Sequence, residues 1–114
     1  MDSVRRLVLE STLDDWTSDY EVQGACQSLL DLQPPEAYRR MVALAVDWIG
    51  RGILVPGDMV GGFQVWQGAA ADLAARFAER SRGRDALARP GDICWFDTGP
   101  GAPAEALRLG ITHG

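Results

Sequence analysis

The feature that most limits the fold is a long apolar stripe of helical period in the middle of the chain. Apolar side chains recur there at three- and four-residue spacing, at Tyr38, Met41, Val42, Ala45, Trp48 and Ile49. Pro35 suits the first turn of such a helix, and Gly50-Arg51-Gly52 is typical of a left-handed helix end. The pattern predicts a helix over 36–49 with one face in a core.

Shorter patterns on both sides of this helix predict the other elements. Apolar spacing predicts helices over 3–16, 21–32 and 68–81, and a short last helix over 103–109. Apolar runs bounded by Gly and Pro predict a strand at 53–55, a hairpin over 59–66 that turns at Gly61-Gly62, and a strand at 92–96. This order predicts a mostly helical α+β fold, with a three-helix core, a small antiparallel sheet and one additional helix.

The length of 114 residues predicts one globular domain, which we place at 1–109, with a flexible tail over 110–114. Its core should combine the apolar stripes of four helices with the strands between them. The expected members are Leu7, Val22, Leu29, Met41, Val42, Ala45, Trp48, Leu54, Leu73, Phe77 and Phe96.

Composition is that of an ordinary globular domain, with 46% hydrophobic and 24% charged residues. No apolar run approaches the ~18 residues that a membrane span needs, so we expect no membrane partner. The first residues lack the apolar stretch of a signal peptide, which favours a location in the reducing cytoplasm. We therefore expect Cys26 and Cys94 to be buried free thiols rather than a disulfide.

The sequence holds no motif of a known catalytic, metal or phosphate site. The glycine-rich run over 57–62 lacks the Lys-Ser/Thr of a P-loop and is typical of a hairpin. The one histidine, His113, lies between Thr112 and Gly114 near the end of the chain. A single histidine forms neither a catalytic triad nor a two-histidine metal site. We expect no catalytic residue, no metal and no cofactor, and hence a protein that is not an enzyme.

Negative charge is concentrated in the first third of the chain. The net charge is −5, and residues 1–36 carry eight acidic residues against two arginines. An acidic chain is a poor non-specific binder of nucleic acid, whose phosphates attract basic proteins. The segment is either a solvated face or a surface for a protein partner with a basic surface. In the second case, the partner-binding residues would be Glu10, Asp14, Asp15, Trp16, Asp19, Tyr20 and Glu21.

A second charged cluster is basic. It consists of Arg76, Arg80, Arg82 and Arg84, with Arg89 nearby. Arginines suit the carboxyl end of a helix, so a solvated helix end is one interpretation. A weak anion-binding site is the other.

Two pieces of the chain resemble bacterial winged helix-turn-helix domains. One is the predicted helix that ends at Gly50-Arg51-Gly52 and is followed by Ile53-Leu54-Val55; it resembles a recognition helix that leads into the first wing strand. The other is the run 93–101, which resembles a wing strand through Phe96, Thr98 and Gly101. In this chain the predicted helix over 68–81 separates the two pieces. The run Gly91 to Phe96 also resembles the ending of many short bacterial proteins.

Two functions follow from these patterns. The first is a non-enzymatic, cytoplasmic protein-binding module, in its sharpest form an immunity- or antitoxin-like inhibitor that covers a basic surface of another protein. The second is the function that the resemblance implies, a winged-helix transcriptional regulator that binds DNA. Arg39 and Arg40 are the outward cations of its recognition helix.

Overall fold

A computed structural model of the chain describes residues 1–111. His113 and the predicted tail beyond residue 111 lie outside the described range. The elements in chain order are α1 (Asp2–Asp14), β1 (Thr17–Ser18), α2 (Asp19–Leu30), α3 (Pro34–Gly50), β2 (Leu54–Met59), β3 (Phe63–Val65), α4 (Ala70–Ser81), β4 (Trp95–Thr98) and α5 (Ala102–Arg108). The four strands form one antiparallel sheet in the order β1-β4-β2-β3. The predicted mostly helical α+β class is confirmed.

Helix α3 is the central element, as its apolar stripe predicts. It packs against α2 on one side and α4 on the other, and it also contacts β2. Trp48 and Met41 on α3 are fully buried. The helix ends as expected from the glycines, because Gly52 takes a left-handed φ of 70° and the Ile53 N–H donates to the Trp48 carbonyl.

The sheet differs from its prediction in three places. Strand β4 covers Trp95–Thr98 instead of the predicted 92–96. Strand β2 runs without a break through Pro56 and Gly57, although the sequence predicts one strand that ends at residue 55 and a separate hairpin that begins at residue 59. Proline is tolerated there because β3 pairs with β2 only from Gly57 onward, while the Pro56 carbonyl accepts the N–H of Trp66. The two-residue strand β1, which pairs with β4 through Thr17 and Ser18, is too short for any periodic signal.

Most of the predicted core is confirmed. Eight of its members are buried: Val22, Met41, Ala45, Trp48, Leu54, Leu73, Phe77 and Phe96. Val42 is partly buried against them. Leu7 and Leu29 are wrong, since they are 47% and 46% exposed. The buried face of α1 instead carries Val4, Val8 and Leu9, so Leu7 lies beyond its edge.

The two cysteines and the end of α5 complete the core. Cys26 and Cys94 are free and buried, and burial raises the pKa of both thiols. Past α5, the N–H of Ile111 donates to the Ala106 carbonyl, and the Ile111 side chain packs against the core. The packed part of the chain therefore reaches residue 111, two residues past the predicted boundary.

We predict that Trp48→Ala strongly destabilises the fold. The ring is fully buried at the centre of the core, and its removal leaves a cavity that the neighbouring helices cannot close. The free energy of unfolding should fall by about 3–5 kcal/mol, measured by chemical denaturation followed by circular dichroism. A loss below 1 kcal/mol would show that α3 is not the centre of the core.

Candidate functional site

The predicted acidic residues meet where α1 ends and α2 begins. Glu10, Asp14 and Asp15 lie along the last turns of α1 and just after it, and Glu21 lies in the first turn of α2. These four side chains are exposed, as are the aromatic rings of Trp16 and Tyr20 between them. We name this surface the acidic corner and define it as Glu10, Asp14, Asp15, Trp16, Tyr20 and Glu21.

Capping interactions fix the start of α2 within this corner. The Glu21 N–H donates to Ser18 Oγ at 3.1 Å, and the Ser18 N–H donates to Glu21 Oε1 at 3.2 Å. This reciprocal capping box satisfies two backbone donors that an α-helix leaves without partners. It also holds the Glu21 side chain close to the corner.

Asp19 is not part of this surface, and its predicted role in partner binding is wrong. The residue is fully buried. Its carboxylate accepts the N–H groups of Gly91 at 2.8 Å, Ile93 at 2.6 Å and Cys94 at 3.2 Å, together with that of Tyr20 at 2.7 Å. Asp19 therefore holds the segment before β4 against the start of α2.

The electrostatics of Asp19 combine two opposing effects. Burial raises the pKa of its carboxyl, because an ion loses its hydration inside the protein. The four backbone N–H groups favour the charged form and act against that rise. From the next turn of α2, Gln23 Oε1 accepts the Leu87 N–H at 2.9 Å. Two α2 side chains thus bind the polar loop between α4 and β4.

Trp16 connects the acidic corner to the sheet. Its ring stacks on that of Phe63, with the centroids 5.8 Å apart and the planes 17° from parallel. Phe63 lies over Gly57, where an added Cβ would come within 2.6 Å of the Phe63 ring. The absence of a side chain at Gly57 therefore allows the Phe63 ring to lie across β2 towards Trp16.

Strand register places more aromatic surface beside this pair. Residues opposite each other in an antiparallel pair share a face, and Gly57 pairs with both Val65 and Trp95. The next residue of β4, Phe96, is buried in the core, so Trp95 faces outward and is partly exposed. We name Trp16, Phe63, Val65 and Trp95 the aromatic sheet face. Sequence reasoning missed Phe63, because the hairpin register that aligns it with Trp95 is not visible in the apolar pattern.

The four arginines of the predicted basic cluster contact three different groups. Arg76 and Arg80 lie over the ring of Trp66, with their guanidinium carbons 4.1 and 4.6 Å from its centroid. Arg82 forms an ion pair with Glu79 at 3.0 Å. Arg84 lies 3.7 Å from Asp92, whose pKa is lowered by the Ala88 N–H and by nearby guanidinium groups. The four arginines thus serve three separate interactions.

The outward cations of α3 are also engaged. Arg39 and Arg40 both pair with Glu36, Arg40 at 3.5 Å. Hydrogen bonds from Arg39 lower the pKa of the Glu36 carboxyl. Asp47, further along the same helix, pairs with Arg51 at 3.1 Å. Arg39 and Arg40 therefore share one carboxylate, and Arg51 pairs with a second.

Comparisons with protein-family models, with curated proteins and with solved structures found no significant match. Within residues 1–111, no helix is long and apolar enough to cross a membrane. The same residues contain no group of three or more His, Cys, Asp and Glu side chains that could hold a metal ion.

We predict that Asp19→Asn destabilises the protein despite its nearly identical shape. The amide would turn one acceptor oxygen into an NH2 group that faces backbone donors, which leaves buried N–H groups without partners. The free energy of unfolding should fall by roughly 1–3 kcal/mol in chemical denaturation. Asp15→Asn is the matched control, because Asp15 is exposed and its amide can still accept the Trp16 N–H. Equal stability of the two variants would contradict the role assigned to Asp19.

Proposed function

We propose that the chain is a non-enzymatic protein-binding module that acts in the cytoplasm and contacts the basic surface of a partner protein. The observation that carries this proposal is the acidic corner with the aromatic sheet face beside it. Among residues 1–111, Glu10, Asp15 and Glu21 form no ion pair, although every basic residue of α3 does. Exposed carboxylates without intramolecular cations attract a cationic surface at long range.

The aromatic residues beside the acidic corner would provide the short-range apolar contact with the partner. Trp16 is 41% exposed, and its stacking on Phe63 holds the ring in one orientation before any partner binds. Tryptophan and tyrosine are enriched among the residues that dominate binding energy, and an ordered ring loses little entropy on binding. This combination supports an immunity- or antitoxin-like inhibitor, a small acidic protein that covers a basic functional surface of another protein.

DNA binding by a winged-helix regulator is the competing proposal. It rests on the sequence resemblance and on the outward position of Arg39 and Arg40 on α3. The pairing of both arginines with Glu36 weighs against it, because a phosphate contact would have to compete with a carboxylate already in place. We therefore place partner binding first.

The first test reverses charge at the acidic corner. A partner is isolated by pull-down from the source organism, purified, and its association rate is measured at low and physiological salt. Asp14→Arg with Asp15→Arg should slow association about tenfold or more at low salt, and salt should slow the wild type, because screening weakens electrostatic steering. Asp72→Arg with Asp85→Arg makes the same charge change on exposed residues elsewhere and is the matched control.

Two results would contradict the proposal. One is an association rate that is the same for the Asp14/Asp15 variant and for the Asp72/Asp85 control. The other is a sequence-specific DNA shift that Arg39→Ala with Arg40→Ala abolishes, with no protein retained in the pull-down. That second result would establish the winged-helix regulator instead.

The second test removes the aromatic anchor. Trp16→Ala should weaken partner binding about 30-fold, the loss typical of a central aromatic residue of an interface. Its free energy of unfolding should fall by only about 1 kcal/mol, which is the range of one aromatic stacking pair. Affinity is measured by calorimetry and stability by chemical denaturation. Unchanged affinity would place the contact away from the aromatic sheet face.

A further inference from the structure

An open groove runs between α1 and α2 on the side where the core prediction fails. It consists of two adjoining cavities, of about 220 Å³ and about 260 Å³. The first is lined by Leu7, Val8, Ser11, Thr17, Glu21 and Ala25, and the second by Ser3, Arg6, Leu7, Glu10 and Leu29. Leu7 lines both cavities, so they lie next to each other along α1.

The apolar part of the lining consists of Leu7, Val8, Ala25 and Leu29. Leu7 and Leu29 expose 47% and 46% of their surface from facing helices. On the next exposed turn of α2, Gly24 has open space where a Cβ would be, with no atom within 4 Å. Gly24 lies beside Ala25, which lines the first cavity, and adds no side chain that would hinder an approaching backbone.

Acidic side chains stand at the rim. Glu10 and Glu21 line the two cavities and form no ion pair among residues 1–111. Arg6 is the one cation lining either cavity, and its Nε donates to the Leu109 carbonyl at 3.2 Å, which directs it towards the end of α5. A groove with two exposed leucines, and with carboxylates on its rim that form no ion pair, is complementary to a segment that is apolar on one side and basic on the other.

The backbone of the groove favours a helix as its occupant. Both walls are α-helices, whose N–H and C=O groups are bonded within each helix, so an extended segment would find no edge to pair with. A helix satisfies its own backbone and offers only side chains. From Ser3 to Ser11 the wall formed by α1 is about 12 Å long, which matches two turns of a helix and apolar residues at i, i+3, i+4 and i+7.

We propose that this groove binds one amphipathic, basic α-helix of the partner protein. Its apolar side chains lie between Leu7 and Leu29, and its Lys or Arg side chains reach Glu10 and Glu21. This inference rests on the proposed function, because it names the chemistry of the partner segment that the acidic surface receives.

The test uses a synthetic 18-residue helix with leucines at i, i+3, i+4 and i+7 and lysines elsewhere. Its affinity is measured by fluorescence anisotropy, and its site is mapped by amide chemical shifts. We expect shifts centred on α1 and α2 beside Leu7 and Leu29. A peptide of the same composition with its leucines scattered round the helix should bind about tenfold more weakly or worse.

Paired variants distinguish peptide binding in the groove from non-specific attraction to the acidic protein. Leu7→Ser with Leu29→Ser should weaken binding about tenfold. Val60→Ser with Leu107→Ser should leave it unchanged, although these side chains are even more exposed, at 70% and 81%. Glu10→Gln with Glu21→Gln keeps the capping acceptor of Glu21 and should weaken binding severalfold, whereas Asp72→Asn with Asp85→Asn should not.

Three outcomes would overturn the groove as a helix site. The two peptides could bind with equal affinity, or the amide shifts could centre away from α1 and α2. The Leu7/Leu29 and Val60/Leu107 serine variants could also lose the same affinity. The purified partner separates this failure from failure of the proposed function. If the Leu7/Leu29 variant binds the partner normally while the Asp14/Asp15 variant does not, the groove inference fails alone. If neither variant affects a bound partner, both proposals fail.

Discussion

The carboxylate of Asp19 is the interaction on which the arrangement of the remaining elements depends. Asp19 is the first residue of α2, and its carboxylate accepts three N–H groups from the segment that leads into β4. Because β4 lies between β1 and β2, these hydrogen bonds connect the start of α2 to the middle of the sheet. A charge buried without a cation is tolerated here because four backbone dipoles replace its hydration. The loss of hydration is thus offset by hydrogen bonds, three of which form only when residues 91–94 are packed against α2.

The same interaction shapes the candidate site. Asp19 points inward between Ser18 and Tyr20, so its neighbours Trp16, Tyr20 and Glu21 are left on the outside. Trp16 then reaches Phe63 across the sheet, and Glu21 closes the capping box at the end of the groove. The acidic corner therefore adjoins both other features: it shares Trp16 with the aromatic sheet face, and Glu10 and Glu21 with the groove. Exposed carboxylates, a stacked aromatic pair and a groove with two exposed leucines thus lie close together.

Periodicity was a good guide wherever an element buries one whole side. The stripe of α3 and that of α4, with Leu73 and Phe77, predicted both helices and their buried residues, because their spacing alone defines a face. It failed for Leu7 and Leu29, because a stripe shows which side of a helix is apolar but not whether another element covers it. Asp19 was expected to be exposed because charged residues usually are. Backbone donors more than 70 residues away in the sequence stabilise its carboxylate inside the protein instead. The stacking of Trp16 on Phe63 depends on strand register, which no local pattern contains.

The pairing of β1 with β4 has a further consequence for how the chain reaches its final form. Thr17 lies opposite Phe96, and the Asp19 carboxylate binds a backbone group 75 positions away in the sequence. Closing so large a loop carries an entropy cost before any contact compensates for it, so such contacts form slowly. The helix pairs α2–α3 and α3–α4 are joined by far shorter stretches. We therefore expect the start of α2 to join β4 after the helix pairs have formed, so that Trp16 and Phe63 come together only late in folding.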